Sequence, residues 1–225
     1  MKPIRIVVPF APGGPTDLMA RALSKVLSQS LGQQVLVDNK PGGGGLIAFG
    51  EIAKAPPDGH TIAFPSILAV TNPAMVPNYP YDVARDFQPI TVVGFIPHLL
   101  VVRADSPFKT LGELIAAAKD KPDTLTYASS GNGTSAHLAA AMLVERAGIK
   151  VAHVPYRGAN PALQDLLAGQ THFMFLDTTS ALVQIKAGKL RALAIAPARR
   201  LTSLPDVLPV SEQGFRAMTF GLGMA

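Results

Sequence analysis

Two periods of apolar spacing alternate along this chain. Residues 4–10 form an apolar, partly β-branched run, which predicts a buried strand of the parallel-sheet kind. Beyond Pro12-Gly13-Gly14 the spacing lengthens. Leu18, Met19, Ala22, Leu23, Val26, Leu27 and Leu31 predict one apolar helix face, capped by Thr16 and stopped by Gly32. Val35-Leu36-Val37-Asp38 predicts a second strand, residues 46–54 a short helix, and Thr61-Ile62-Ala63-Phe64 a third strand. This order, β-α-β-α-β, opens an open parallel sheet.

Residues 67–97 interrupt the rhythm with Pro73, Pro77, Pro80, Pro89 and Pro97 and read as irregular. It restarts at Leu99-Leu100-Val101-Val102. Helices are expected near residues 110–120, 135–147, 160–168 and 179–187, and strands near 124–128, 151–154, 173–177 and 191–196. The restart predicts two α/β lobes: residues 1–98, then 99–217 after a crossing near 97–103. A helical turn from Ser211 and a strand at Met218-Thr219-Phe220-Gly221-Leu222 are expected to close the chain, residues 218–225 returning towards the first lobe.

Two strand-to-helix turns carry the chemistry. One is Phe10-Ala11-Pro12-Gly13-Gly14-Pro15-Thr16-Asp17, and the other is Ser129-Ser130-Gly131-Asn132-Gly133-Thr134-Ser135. Glycines and hydroxyls at a helix start make a nest of backbone N–H groups, and the helix dipole adds about half a positive charge there. Such a turn binds an anion without a formal cation. Two of them, facing each other across a cleft, are expected to share one.

The totals fit that expectation. At 225 residues and 48% hydrophobic, the chain can fill one large or two modest cores. No apolar run is long enough to span a membrane, and no leader is visible before the first strand. The absence of cysteine excludes thiolate chemistry and disulfides. A net charge of +5 suits an anionic ligand. Nucleic acid is not expected, because the basic residues are scattered, with Arg199-Arg200 the only adjacent pair.

Other motifs have plainer readings. Gly43-Gly44-Gly45-Leu46-Ile47-Ala48 fits the dinucleotide pattern G-x-G-x-x-A, as does Gly131-Asn132-Gly133-Thr134-Ser135-Ala136. Neither follows the first strand, no ribose-binding acid is evident and no P-loop lysine follows, so tight turns and no cofactor are expected. Ser130 and His137 suggest a nucleophile and base, the signature of a hydrolase-like enzyme, but lack both an elbow motif and a third orienting group. The histidines at 60, 98, 137, 153 and 172 show no metal-ligand spacing. Asp17 lies in a first helical turn, where it either caps or contacts ligand. Asp177 ends an apolar strand at a carboxyl edge and either accepts from a ligand amine or hydroxyl or caps the helix that follows. Arg157 reads as an exposed loop arginine.

The chain also resembles a known family. Residues 6–17, Asn39-Lys40-Pro41-Gly42, Pro57-Asp58-Gly59-His60-Thr61, Tyr81-Asp82, residues 127–134, His137-Leu138, Val154-Pro155-Tyr156-Arg157-Gly158 and Gly188-Lys189-Leu190-Arg191-Ala192-Leu193-Ala194 match, in order, the Bug receptors. These are the extracytoplasmic solute-binding proteins of tripartite tricarboxylate transporters. The resemblance implies a class II periplasmic binding protein-like α/β fold, two lobes with a ligand cleft between them. It further implies a non-enzymatic, periplasmic protein that holds a small organic carboxylate for a membrane permease or a sensor protein. By motif, the ligand-binding residues are Phe10, Pro12, Gly13, Gly14, Thr16 and Asp17 of the first turn, Ser129, Ser130, Gly131, Asn132, Gly133, Thr134 and Ser135 of the second, and Ser66 and Asp177. Family members usually continue beyond the point matching Gly221-Leu222-Gly223, so the first lobe is expected to lack its C-terminal completion here.

Overall fold

The computed structural model describes residues 2–196, 200–215 and 223–224. The chain divides into two compact units, residues 1–94 with 223–225, and residues 95–222.

The first unit contains β1 (Ile4–Val8), α1 (Pro15–Leu31), β2 (Val35–Asn39), a 3-10 turn (Gly43–Gly45), α2 (Leu46–Ile52), β3 (Thr61–Ala63), α3 (Leu68–Met75) and α4 (Val83–Asp86). Its strands form a parallel sheet in the order β2-β1-β3, the open arrangement expected from the pattern. Ile6, Val7 and Val8 of the central strand are buried with Ala20, Ala48, Phe49 and Phe64. Beside them Phe49, Tyr79, Tyr81 and Phe87 pack edge to face, with ring centroids 4.5–6.2 Å apart.

Three expectations fail in this unit. The first is the cap of α1: it is Gly14, with no side-chain bond, and Pro15 opens the helix, so Thr16 already lies inside the first turn. The second is the apolar face of α1, which is not uniformly inward. Ala20 is fully buried, yet Leu18, Val26 and Leu31 remain half or more exposed, because the small sheet covers only part of the arc. The third is the proline-rich stretch. It contains α3, with Pro73 inside it, and α4, capped by the Asp82 carboxylate on the Ala84 and Arg85 N–H groups. Burial of Leu68 and Ala69 and a bond from Asn72 Nδ2 to Gly44 O (2.6 Å) anchor α3 against the proline's lost hydrogen bond.

The second unit follows β4 (Gly94–Phe95), whose two residues lie either side of the division. It comprises β5 (His98–Arg103), α5 (Leu111–Asp120), β6 (Thr126–Ser129), α6 (Ser135–Ala147), β7 (Ala152–Pro155), α7 (Ala159–Leu167), β8 (Phe173–Asp177), α8 (Thr178–Lys186), β9 (Leu190–Ile195) and a 3-10 turn (Val210–Gln213). The sheet order is β7-β6-β8-β5-β9, with β5 antiparallel to both neighbours. Side chains alternate across it. Leu100, Val102, Phe173 and Phe175 enter one core with Leu114, Ala139 and Leu143, whereas Leu99, Val101, Met174 and Leu176 enter the other with Leu163 and Leu166. Covering both faces explains why these strands read as unbroken apolar runs. A two-residue strand, β10 (Gly223–Met224), pairs with β4. The strand expected at residues 218–222 lies outside the described residues, as does Arg199.

Candidate functional site

In the first turn, polar groups converge on Asp17, which is 1% exposed. Its Oδ2 accepts from Gly13 N (2.9 Å) and Arg21 Nε (2.9 Å), and its Oδ1 accepts from Asn39 Nδ2 (3.0 Å). Asn39, at the end of β2, also donates to Phe10 O (3.0 Å), which ties the end of β1 to its neighbour. Burial pushes the Asp17 carboxyl up, but the bonds from Arg21, Gly13 and Asn39 outweigh it and hold it below the ordinary value. Both oxygens are thus engaged by the protein, and the carboxylate shapes the turn. Gly13 spends its N–H on that carboxylate. Pro12 and Pro15 have none, so the turn's other backbone donors are those of Phe10, Ala11, Gly14 and the first turn of α1. Ser66, after β3, has its Oγ 3.3 Å from Leu68 N at the start of α3.

The second turn joins β6 to α6. Thr134 caps the helix: its Oγ accepts from His137 N (3.4 Å) and donates to Gly131 O (2.6 Å). Gly131 has φ +127°, and a Cβ there would stand 3.3 Å from Tyr156 O, so the turn requires glycine. Ser129 is fully buried. Its Oγ accepts from Gly131 N (3.2 Å) and lies 2.7 Å from His153 Nε2. Gly133 N donates to His137 Nδ1 (3.1 Å). Accepting at Nδ1 fixes His137 as the neutral ring with its proton on Nε2. Several N–H groups expected to face a ligand are therefore turned inward, those of Gly131 and Gly133 among them. The N–H groups of Ser130, Asn132, Ser135 and Ala136 have no acceptor among the described residues, and the last two open α6, where the helix dipole favours an anion.

Three aromatic rings support this turn from below. His153 stacks between Tyr127 (centroids 4.7 Å apart) and His137 (4.3 Å). Burial holds the His137 imidazole below its ordinary value. Burial and the neighbouring His137 bring His153 down to about 4. Both rings are thus neutral near pH 7, and both brace the turn, His137 through Gly133 and His153 through Ser129. Ser130 makes no side-chain bond to His137 among the described residues, and His137 Nδ1 is already occupied as an acceptor.

Asp177 ends β8 at the edge where β6 ends, and is 3% exposed. Its Oδ1 accepts from Ser180 N (2.9 Å) as the cap of α8, while its Oδ2 is buried without a partner. His98 stands opposite it across the β5–β8 pair, with Nε2 3.3 Å from Ser135 Oγ.

Comparison with known proteins resolves the class. The model of the tripartite tricarboxylate transporter family receptor matches residues 19–224. The chain belongs to this receptor family. A relative from Pseudomonas sp. (strain P51), the protein of the tcbD-tcbE intergenic region, is 44% identical over 223 residues, 97% of this chain and 66% of that protein. The chain thus spans about two thirds of the length of such curated relatives. The periplasmic binding protein BugD is 37% identical with a TM-score of 0.90, over 98% of this chain and 74% of its own. The structure of R. palustris Rpa4515 with adipate reaches a TM-score of 0.92 at 32% identity, over 98% of this chain and 74% of its own. The family is one of transporter receptors, BugD is a periplasmic binding protein, and the mixed α/β fold found here is shared with both solved structures.

Sequence reasoning placed both glycine turns between a strand and a helix, where the structure has them, and missed the residues that brace them. Asn39, His98 and His153 lie 22, 37 and 24 positions from their partners Asp17, Ser135 and Ser129. Asn39 stood out only as part of a family motif, and no local spacing gives any of the three its bracing role, because sheet pairing supplies the proximity.

Proposed function

We propose that this chain is a periplasmic receptor that captures a small organic carboxylate and delivers it to a membrane permease or a sensor, without chemical turnover. The donors come from residues 10–17 and 129–135. The observation that supports this reading most is the start of α6. There a buried threonine cap and two neutral imidazoles fix a glycine turn while Ser130, Asn132, Ser135 and Ala136 keep N–H groups without an acceptor among the described residues. Neutral donors of this kind desolvate an anion without a buried ion pair. Adipate, present with the similar R. palustris Rpa4515, is an acid of that class. A net charge of +5 assists the capture of such an anion.

Micromolar affinity requires about 8 kcal/mol, which several charge-assisted hydrogen bonds at roughly 1.5–3 kcal/mol each supply. The test is a thermal-shift and calorimetric screen of organic acids, adipate included, on the purified chain. At about 100 times Kd a bound acid stabilises the fold by about 2.7 kcal/mol. A folded protein that no carboxylate stabilises would sink the proposal.

A further inference from the structure

Asn132 stands between two glycines in the turn before α6, and Gly133 follows it with φ +74°. The residue is exposed, and its carboxamide makes no hydrogen bond among the described residues. Asparagine is thermolabile because the nitrogen of the next peptide can attack its Cγ. The attack needs a nitrogen with a proton to lose and a following residue that neither crowds nor stiffens the chain, which glycine satisfies best. The other asparagines are poorly placed for it. Asn72 and Asn160 precede prolines, whose nitrogen carries no proton. Asn39 Nδ2 is held by Phe10 O and Asp17 Oδ1, each at 3.0 Å, and Asn78 precedes the bulky Tyr79. The only Asn-Gly pair in the chain therefore lies in the turn that carries the anion donors. The Gly133 N–H is directed at His137 Nδ1 (3.1 Å), so the nitrogen reaches Cγ when that bond opens.

We propose that Asn132-Gly133 is a self-modification site, where loss of ammonia converts the protein into a form that no longer captures its acid. The loss of capture rests on the receptor reading above, whereas the modification itself does not. The Gly133 nitrogen forms a bond to Asn132 Cγ and gives its proton to water. The Cγ–Nδ2 bond breaks, and Nδ2 takes up a proton and leaves as ammonia. Water then opens the cyclic imide at either carbonyl, giving aspartate, or isoaspartate in which the main chain runs through the former side chain. Nothing is oxidised or reduced. Both products put a carboxylate in the turn where the Ser130, Ser135 and Ala136 N–H groups have no acceptor among the described residues. That carboxylate competes for these donors and repels the carboxylate of a ligand. Isoaspartate also lengthens the main chain before Gly133, which displaces its N–H from His137 Nδ1.

The test is to hold the purified full chain at pH 7.5 over days and follow it by peptide mass spectrometry and isoelectric focusing. The peptide containing Asn132 should gain the mass of an NH₂-to-OH exchange before any other asparagine peptide does, with a matching shift of the chain to lower isoelectric point. Asn132→Gln should abolish this first change, because the larger ring forms far more slowly. Calorimetry with adipate and malate reads the consequence. Aged wild-type protein should show a binding stoichiometry reduced by its modified fraction. Asn132→Asp, which makes one product directly and whose folding is checked by urea unfolding, should bind about tenfold or more weakly than fresh wild type. An unchanged Asn132 peptide, or one modified only after another asparagine, overturns the site. Undiminished stoichiometry together with equal affinity of the folded aspartate variant overturns the loss of capture and leaves the receptor reading intact. Fresh protein that binds neither acid counts against the receptor reading and the loss of capture, while the mass data still decide the site.

Discussion

Thr134 shows how one side chain connects fold and site. Its hydroxyl caps α6 and closes the turn on Gly131 O, and the residue is 5% exposed. Thr134→Ala should therefore cost about 1–2 kcal/mol in urea unfolding and weaken carboxylate binding, while Thr134→Ser restores most of both. Glycine positions separate strain from packing. At Gly45, with φ +93°, a Cβ would stand 2.9 Å from Phe49 Cε2, whereas Gly13, with φ +85°, has nothing within 4 Å. Gly13→Ala should cost about 1 kcal/mol from strain alone and Gly45→Ala at least about 2 kcal/mol, compared by thermal unfolding. The glycines and hydroxyls of both turns were legible in the sequence, because each turn needs them locally. The directions of the N–H groups of Gly13 and Gly133 were not. They depend on Asp17 folding back over its own turn and on the ring of His137.

At the scale of elements, burial of the imidazoles around α6 makes this part of the second unit sensitive to acid. His137 and His153 titrate lower in the folded chain than the ordinary 6.5, His153 at about 4. Between those values the unfolded chain holds more protons. Stability is then full above pH 6.5 and falls as pH drops towards 4. Partial solvent access reduces the effect to about 1–2 kcal/mol. Urea midpoints at pH 7.5, 5.5 and 4.5 should fall in that order, and His153→Phe should flatten the dependence. Strand and helix periods were read correctly in the second unit because both faces of its sheet are covered. On α1 the same method gave an apolar face wider than the sheet it packs on, leaving Val26 61% exposed. Val26→Gln should shift unfolding by no more than about 0.5 kcal/mol.

For the whole molecule, the two units differ in how much core each owns. The second has a five-stranded sheet buried on both faces, with Phe173, Phe175, Leu99 and Leu100 fully enclosed. The first has a three-stranded sheet and exposed apolar positions on α1 and at Ile47 and Val70. Native-state hydrogen exchange should place the highest protection in β5 and β8 and lower opening free energies in β1 to β3. Equal protection in both sheets would contradict this difference in core.

The sequence by itself determined the order of strands and helices in the second unit, the two glycine turns and the receptor family, because periodicity, turn chemistry and ordered motifs are local properties of the chain. It left α3 and α4 unread, since prolines locally signal a break and only burial of Leu68 and Ala69 and the Asn72 anchor overcome it. Tertiary structure alone decided which N–H groups remain for an anion, which histidines stay neutral, and that Asp177 keeps one buried oxygen without a donor. Each of these depends on groups far apart in sequence that sheet pairing brings within hydrogen-bond distance, and no local pattern encodes that distance.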